Sequence, residues 1–293
     1  MALTIKEILK KVRKIELKTK GLSSMEFSGS YKTTFKGRGM SFSEVRPYQY
    51  GDDIRNIDWN VTARTGDPHI KVFEEEREQT FMLLIDVSGS SFFGANVQTK
   101  NEFIAEVAAT LAFSAISNND KVGVIFFTDR IEKYLPPKKG HNHILRIIRD
   151  LLFIEPKSQG TDIAQAMKYL NNLVKRRCTT FLISDFMNQG YEAALKVAAS
   201  RHDMVGVHIY DIRETELPNV GLLPVVDAEG GKMQWVDTGS ATVRENYKKR
   251  FQDNLKYFNH TFSRMGADTL SIATHESYAN TLRRFFKERT KFA

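Results

Sequence analysis

The 293-residue chain holds one cysteine, two tryptophans and seven prolines. A lone thiol, Cys178, excludes an intramolecular disulfide, and with it the disulfide-stapled scaffolds of secreted proteins. Cys178 opens the apolar run "CTTFLIS", where a buried structural thiol is expected rather than a reactive one. No apolar stretch approaches the ~20 residues that a membrane-spanning helix requires, and the N-terminus shows no signal-peptide hydrophobic region. Internal repeats and low-complexity segments are also missing. The expectation is a cytoplasmic protein with length enough for a substantial core.

Hydrophobic residues make up 41% and charged residues 27%, ordinary for a globular chain. The formal charge of +8 is concentrated at one end, since residues 1–50 hold eleven Lys or Arg against four Asp or Glu. Within them, Ile5, Ile8, Leu9, Val12 and Ile15 recur at helical spacing among Lys6, Lys10, Lys11, Arg13 and Lys14. That pattern predicts an amphipathic basic helix over residues 3–17. Its apolar stripe is expected to dock on the protein; contact with a membrane surface is the alternative. Aromatic residues do not interleave the basic ones, so nucleic acid is not expected as a partner.

From residue 25 to 79 the chain is rich in Gly, Thr, Tyr and Arg without a long helical period, and reads as short strands and turns. After Phe81, buried strands alternate with helices of 10–17 residues. The strands are "FMLLID", "KVGVIFFT", "TTFLIS", "DMVGVHIY" and "DTLSIAT". Such alternation predicts right-handed crossovers and a doubly wound, mostly parallel α/β sheet. "RIEKYLP" reads as a hairpin partner of the second strand. Residues 214–239 interrupt the rhythm with "GLLPVV" and "KMQWVDT", a β-hairpin expected at the sheet edge. Two domains follow from this reading: a basic helix with a β-rich region over 1–78, and the α/β domain over 79–293.

The first of these strands ends in Asp86, Ser88, Ser90 and Ser91. Capping of the next helix is one use for such residues. A carboxylate at the C-terminal end of a parallel strand also lies where open α/β sheets bind ligands. Two further loops carry the same kind of chemistry, Gly160-Thr161-Asp162 and Ser184-Asp185-Phe186. Asp86, Ser88, Ser90, Thr161 and Asp185 can therefore converge on one point. Their hard oxygen donors suit Mg²⁺ or Mn²⁺ and argue against zinc. An ion held by neutral hydroxyls and two carboxylates keeps an open position for an Asp or Glu offered by a partner.

A metal-dependent hydrolase or phosphatase is the competing reading. A haloacid-dehalogenase-type phosphatase, which also begins with an aspartate after its first strand, needs a second aspartate two residues later, and here that residue is Ser88. None of the seven histidines sits beside a nucleophile-like turn. His141 and His143 read as solvated loop residues, and His275 as a structural residue at the end of the last strand. No enzymatic activity is expected.

These motifs resemble the metal ion-dependent adhesion site of von Willebrand factor type A domains, over residues 80–213 and 268–290. The resemblance implies a Rossmann-like fold and a metal held by the five residues named. Phe186 stands where many type A domains have glycine. The signature Arg46, Tyr48, Gly51, Asp52, Arg55, Ile57, Asp58 and Trp59, with the ending "GADTLSIATHESYANTLRRFF", resembles the bacterial domain-of-unknown-function family fifty-eight. This second resemblance implies a bacterial protein often encoded beside a MoxR-type AAA+ ATPase, with a role in assembly. In the signature, Arg46, Arg55 and Arg64 alternate with Asp52, Asp53 and Asp58, which predicts structural charge pairing.

Overall fold

The computed structural model describes residues 13, 15, 40–75, 79–92, 99–226 and 233–291. They belong to two compact units, a small one within Thr33–Gln79 and a large one that includes Thr80–Ala293.

In the small unit, β1 (Met40–Pro47) pairs antiparallel with β2 (His69–Glu75), and α1 (Trp59–Thr65) lies between them in sequence. This helix departs from the expected strands and turns. Seven residues are too few for a readable apolar stripe, and its caps define it instead. Asp58 accepts from the Asn60 and Val61 amides, and Gly66 closes it at φ 85°. Charge pairing holds at Arg46, which grips Asp52 through two bonds of 2.8 and 2.7 Å. Asp58 pairs instead with Lys71 at 3.6 Å, while Asp53 caps a short turn and Arg55 and Arg64 are exposed.

The large unit is built on six strands: β3 (Thr80–Asp86), β4 (Lys121–Phe127), β5 (Ile131–Lys138), β6 (Thr179–Ser184), β7 (Asp203–Tyr210) and β10 (Asp268–Ala273). Their order is β10-β7-β6-β3-β4-β5, parallel throughout except that β5 returns antiparallel beside β4. Strand alternation divides the core in two. Phe81, Leu83 and Ile85 face one side with α2 (Lys100–Ser117), α3 (His141–Leu152) and α8 (Tyr278–Lys291). Met82 and Leu84 face the other, with α4 (Ile163–Leu173), α5 (Glu192–Arg201) and α7 (Ala241–Arg264). Three helices on each face make the sheet doubly wound, and a strand covered on both sides reads as one continuous apolar run. Gly206 on β7 lets α7 approach: a Cβ there would lie 2.6 Å from the Phe258 ring and 2.7 Å from that of Phe262.

The segment between β7 and β10 carries a four-residue helix, α6 (Ile212–Thr215), and the hairpin β8 (Leu222–Val226) and β9 (Met233–Asp237). The hairpin does not extend the sheet edge as expected. It forms a two-stranded sheet of its own, and β10 takes the place beside β7. Pro224 has no amide to give a further ladder, and Leu222, Met233 and Trp235 are exposed. The turn "DAEGG" lies outside the described residues. Of the basic segment, Arg13 and Ile15 are described; both are helical, Arg13 is exposed and Ile15 is buried in the large unit's core. The other stripe residues lie outside the described residues. No helix among the described residues is long and apolar enough to cross a membrane.

Two expectations for histidine are corrected. His141 and His143 occupy the first turn of α3 rather than a solvated loop; the His141 ring lies 5.4 Å from that of Phe113. His143 Nε2 lies 2.9 Å from the Val122 carbonyl oxygen, and burial lowers its pKa. Cys178 is buried as expected, 3.2 Å from His202 Nδ1, and desolvation pushes its thiol up to about 11.

Candidate metal centre at the sheet edge

Asp86 is the last residue of β3 and only 1% exposed. One carboxylate oxygen accepts from the Ser88 amide at 2.9 Å, the other from the Ser184 hydroxyl at 2.7 Å. It therefore braces its own loop and the end of β6. The next α-helix, α2, is capped by Thr99 and not by Asp86. The Ser88 and Ser90 hydroxyls are 3.1 Å apart, and Ser90 continues the chain to the Asp185 carboxylate.

Asp185 follows β6 directly, 8% exposed. Because β6 and β3 are neighbours in the sheet, Asp185 and Asp86 come out on one edge. Thr161 reaches the same edge through its backbone. Its carbonyl accepts from the Asn188 side chain at 2.8 Å, and the Gly89 amide donates to Gln159 at 3.1 Å. The second loop is thus sewn to the third and the first. Asp162 beside it caps α4.

Three further side chains at this edge escaped the sequence reading. The Lys100 ammonium, 2% exposed, lies 3.4 Å from Asp185 and 2.8 Å from Glu214 of α6. Burial opposes its charge, yet the two carboxylates outweigh that and raise its pKa. A signal existed, because Lys100 is in helical phase with Ile104, Val107 and Leu111, a cation on an apolar stripe. His208 of β7 is the third. Burial and then the nearby Lys100 lower its pKa to about 4, and its ring stacks on Tyr210 at 5.1 Å.

The electrostatics of the cluster bear on metal binding. Burial, and next the charge of Asp185, push Asp86 up to about 6. Burial would also raise Asp185, but Lys100, the Ser90 hydroxyl and the Met187 amide together hold it below the usual carboxylate range. Glu214 is raised by burial. Among the described residues, three carboxylates thus face one ammonium and a neutral imidazole. Among the described residues no group of three or more His, Cys, Asp or Glu side chains is arranged for a metal ion. The donors are two carboxylates with hydroxyls, and this hard-oxygen set fits a divalent ion such as Mg²⁺ or Mn²⁺.

Phe186 shapes the third loop. It adopts φ 50°, the left-handed conformation that glycine takes without strain. Its buried ring is held 4.2 Å from Phe258 and 5.5 Å from Phe262, with Tyr191 and His208 beside it. The loop keeps a glycine-like backbone, and an aromatic cluster holds the strained residue in place.

A family model described as "Protein of unknown function DUF58" matches residues 44–257. The chain belongs to the DUF58 family. A relative, "Uncharacterized protein Rv1480" of Mycobacterium tuberculosis, is 28% identical over 285 residues, covering 96% of this chain and 90% of that protein. Among solved structures, conserved hypothetical protein BatB from Bacteroides thetaiotaomicron is similar with a TM-score of 0.47 and 16% identity, over 73% of the DUF58 chain and 100% of its own. The SpRpn10 VWA domain is similar with a TM-score of 0.40 and 13% identity, over 70% and 93%. The sheet order and the three helices on each face agree with the type A-like architecture that the motifs imply.

Proposed function

We propose that this DUF58 protein is a protein-interaction module that binds Mg²⁺ or Mn²⁺ through Asp86, Ser88, Ser90, Thr161 and Asp185. The observation that carries the reading is the pair of buried carboxylates, Asp86 and Asp185, that neighbouring strands bring to one sheet edge. When bound, the ion supplies an electrophilic position for an Asp or Glu from a partner. The protein's own residues prepare that position. Ser184 and the Ser88 amide fix the Asp86 carboxylate, Ser90 links it to Asp185, and the Thr161 loop is tied through its backbone to the loops that carry both.

The site is built for gripping rather than for turnover. Ser88 stands where a phosphatase would need its acid, and the imidazole beside the edge, His208, is buried and packed between aromatic rings. The partner proposed is a MoxR-type AAA+ ATPase, with the DUF58 protein as its adaptor or assembly factor in the cytoplasm. The acidic anchor follows from the site's chemistry, the ATPase from the family resemblance.

Calorimetric titration of the wild type with MgCl₂ and MnCl₂ should give one site that Asp86→Ala abolishes. A pull-down of the ATPase should weaken in EDTA and with Asp185→Ala. Equal ion binding by wild type and Asp86→Ala would sink the metal assignment. Undiminished association in both pull-down conditions would show that the partner docks elsewhere.

A further inference from the structure

We infer that Lys100 is a resident counter-ion of the sheet edge, which holds Asp185 in the ion-free protein and limits how tightly the edge takes a divalent cation. The inference rests on the metal reading above and concerns a residue outside the ligand set. Lys100 is the first residue of α2, where the helix dipole disfavours a positive charge. It is also buried, which disfavours any charge. Among the described residues, Asp185 and Glu214 offset these two penalties, so the ammonium is held by the edge and not by its helix.

The geometry divides its duties. Glu214, at 2.8 Å, is the nearer partner and Asp185, at 3.4 Å, the farther. Glu214 follows β7 on a separate short helix and belongs to none of the three loops that carry the proposed ligands. The ammonium therefore keeps a carboxylate even when Asp185 directs its charge elsewhere. His208 and Tyr247 face the same cluster and add no compensating cation. A cation entering the edge must share Asp185 with an ammonium already there, and like charges in a partly desolvated site repel strongly.

The test is calorimetry and thermal unfolding of the full chain, with MgCl₂ as the probe. Lys100→Met should bind Mg²⁺ at least about tenfold more tightly than wild type. Its ion-free melting temperature should fall and be restored by Mg²⁺, whereas Lys100→Arg, which keeps the charge, should stay near wild type in affinity. Glu214→Gln provides an arm that leaves Lys100 in place. It leaves the ammonium wholly to Asp185, so Mg²⁺ affinity should drop about threefold or more.

Unchanged affinity in Lys100→Met, with Asp86→Ala still abolishing binding, would overturn the inference and leave the metal site standing. Tighter binding by Glu214→Gln would overturn it as well. No uptake by wild type or Lys100→Met at millimolar ion would overturn the metal reading and the inference with it.

Discussion

Replacing Phe186 by alanine and by glycine should destabilise the protein in an order opposite to the usual one. Phe186 is 1% exposed and packs on Phe258, Phe262, Tyr191 and His208. Truncating a buried phenylalanine costs about 3–5 kcal/mol, including the cavity left behind. Both variants lose that packing. They differ in the backbone, which sits at φ 50°. Alanine retains the Cβ penalty of the left-handed region, about 1–2 kcal/mol, and glycine escapes it. Glycine also gives the unfolded chain more freedom, which takes back up to about 1 kcal/mol. Phe186→Gly should therefore be as stable as Phe186→Ala or up to about 2 kcal/mol more stable, although glycine is normally the worse replacement. Urea unfolding at 25 °C, with both variants fitted to a common slope, reads this difference. A glycine variant less stable than the alanine one by 1 kcal/mol would refute the strained-loop argument. Near-wild-type stability of both would refute the packing argument.

Other outcomes follow from the same geometry. His202 is buried, and its burial, with Arg201 and Arg177 nearby, lowers its pKa to about 4. The unfolded chain takes up that proton first, so the stability this residue contributes is present above about pH 6.5 and is lost as pH falls toward 4. The shift corresponds to about 3 kcal/mol; His202→Asn should lose less stability than wild type between pH 7.5 and 4.5 in urea titrations, and parallel losses would contradict the assignment. Gly206→Ala drives a Cβ into the Phe258 and Phe262 rings and should destabilise by about 1–3 kcal/mol, so an unchanged thermal midpoint would show that α7 is loosely packed. The buried Thr238 hydroxyl donates to the Gly221 carbonyl at 2.6 Å and accepts from the Val220 amide at 3.1 Å. Thr238→Val removes the partner of the Val220 amide, while the Gly221 carbonyl keeps its bond from the Thr238 amide at 2.9 Å; the loss should cost about 1 kcal/mol and speed proteolysis near the hairpin β8–β9, whereas an unaltered cleavage rate would mean that the hairpin base is held by other contacts.

The large unit was legible because its information is local. β3 is apolar at every position from Phe81 to Ile85, and helices such as α3 and α4 show their buried faces at 3.6-residue spacing, so type and order follow from short windows. The small unit's helix was not legible, since seven residues define no stripe and its stability rests on Asp58 and Gly66 at its ends. At the candidate centre, the Asp86 loop could be recognised because the residues that brace one another, Asp86, Ser88 and Ser90, are neighbours in the chain. Lys100, Glu214 and the conformation of Phe186 could not. Lys100 meets a carboxylate 85 residues away and another 114 residues away, and Phe186 is held by rings from α7. Those meetings are decided by the order of strands across the sheet. It sets β3 beside β6 and β6 beside β7, and so brings three distant chain segments to one edge. Hydrophobic periodicity fixes which face of an element is buried. Which charged side chains then share a desolvated space depends on tertiary neighbours, because a buried charge must find its partner wherever the fold places one.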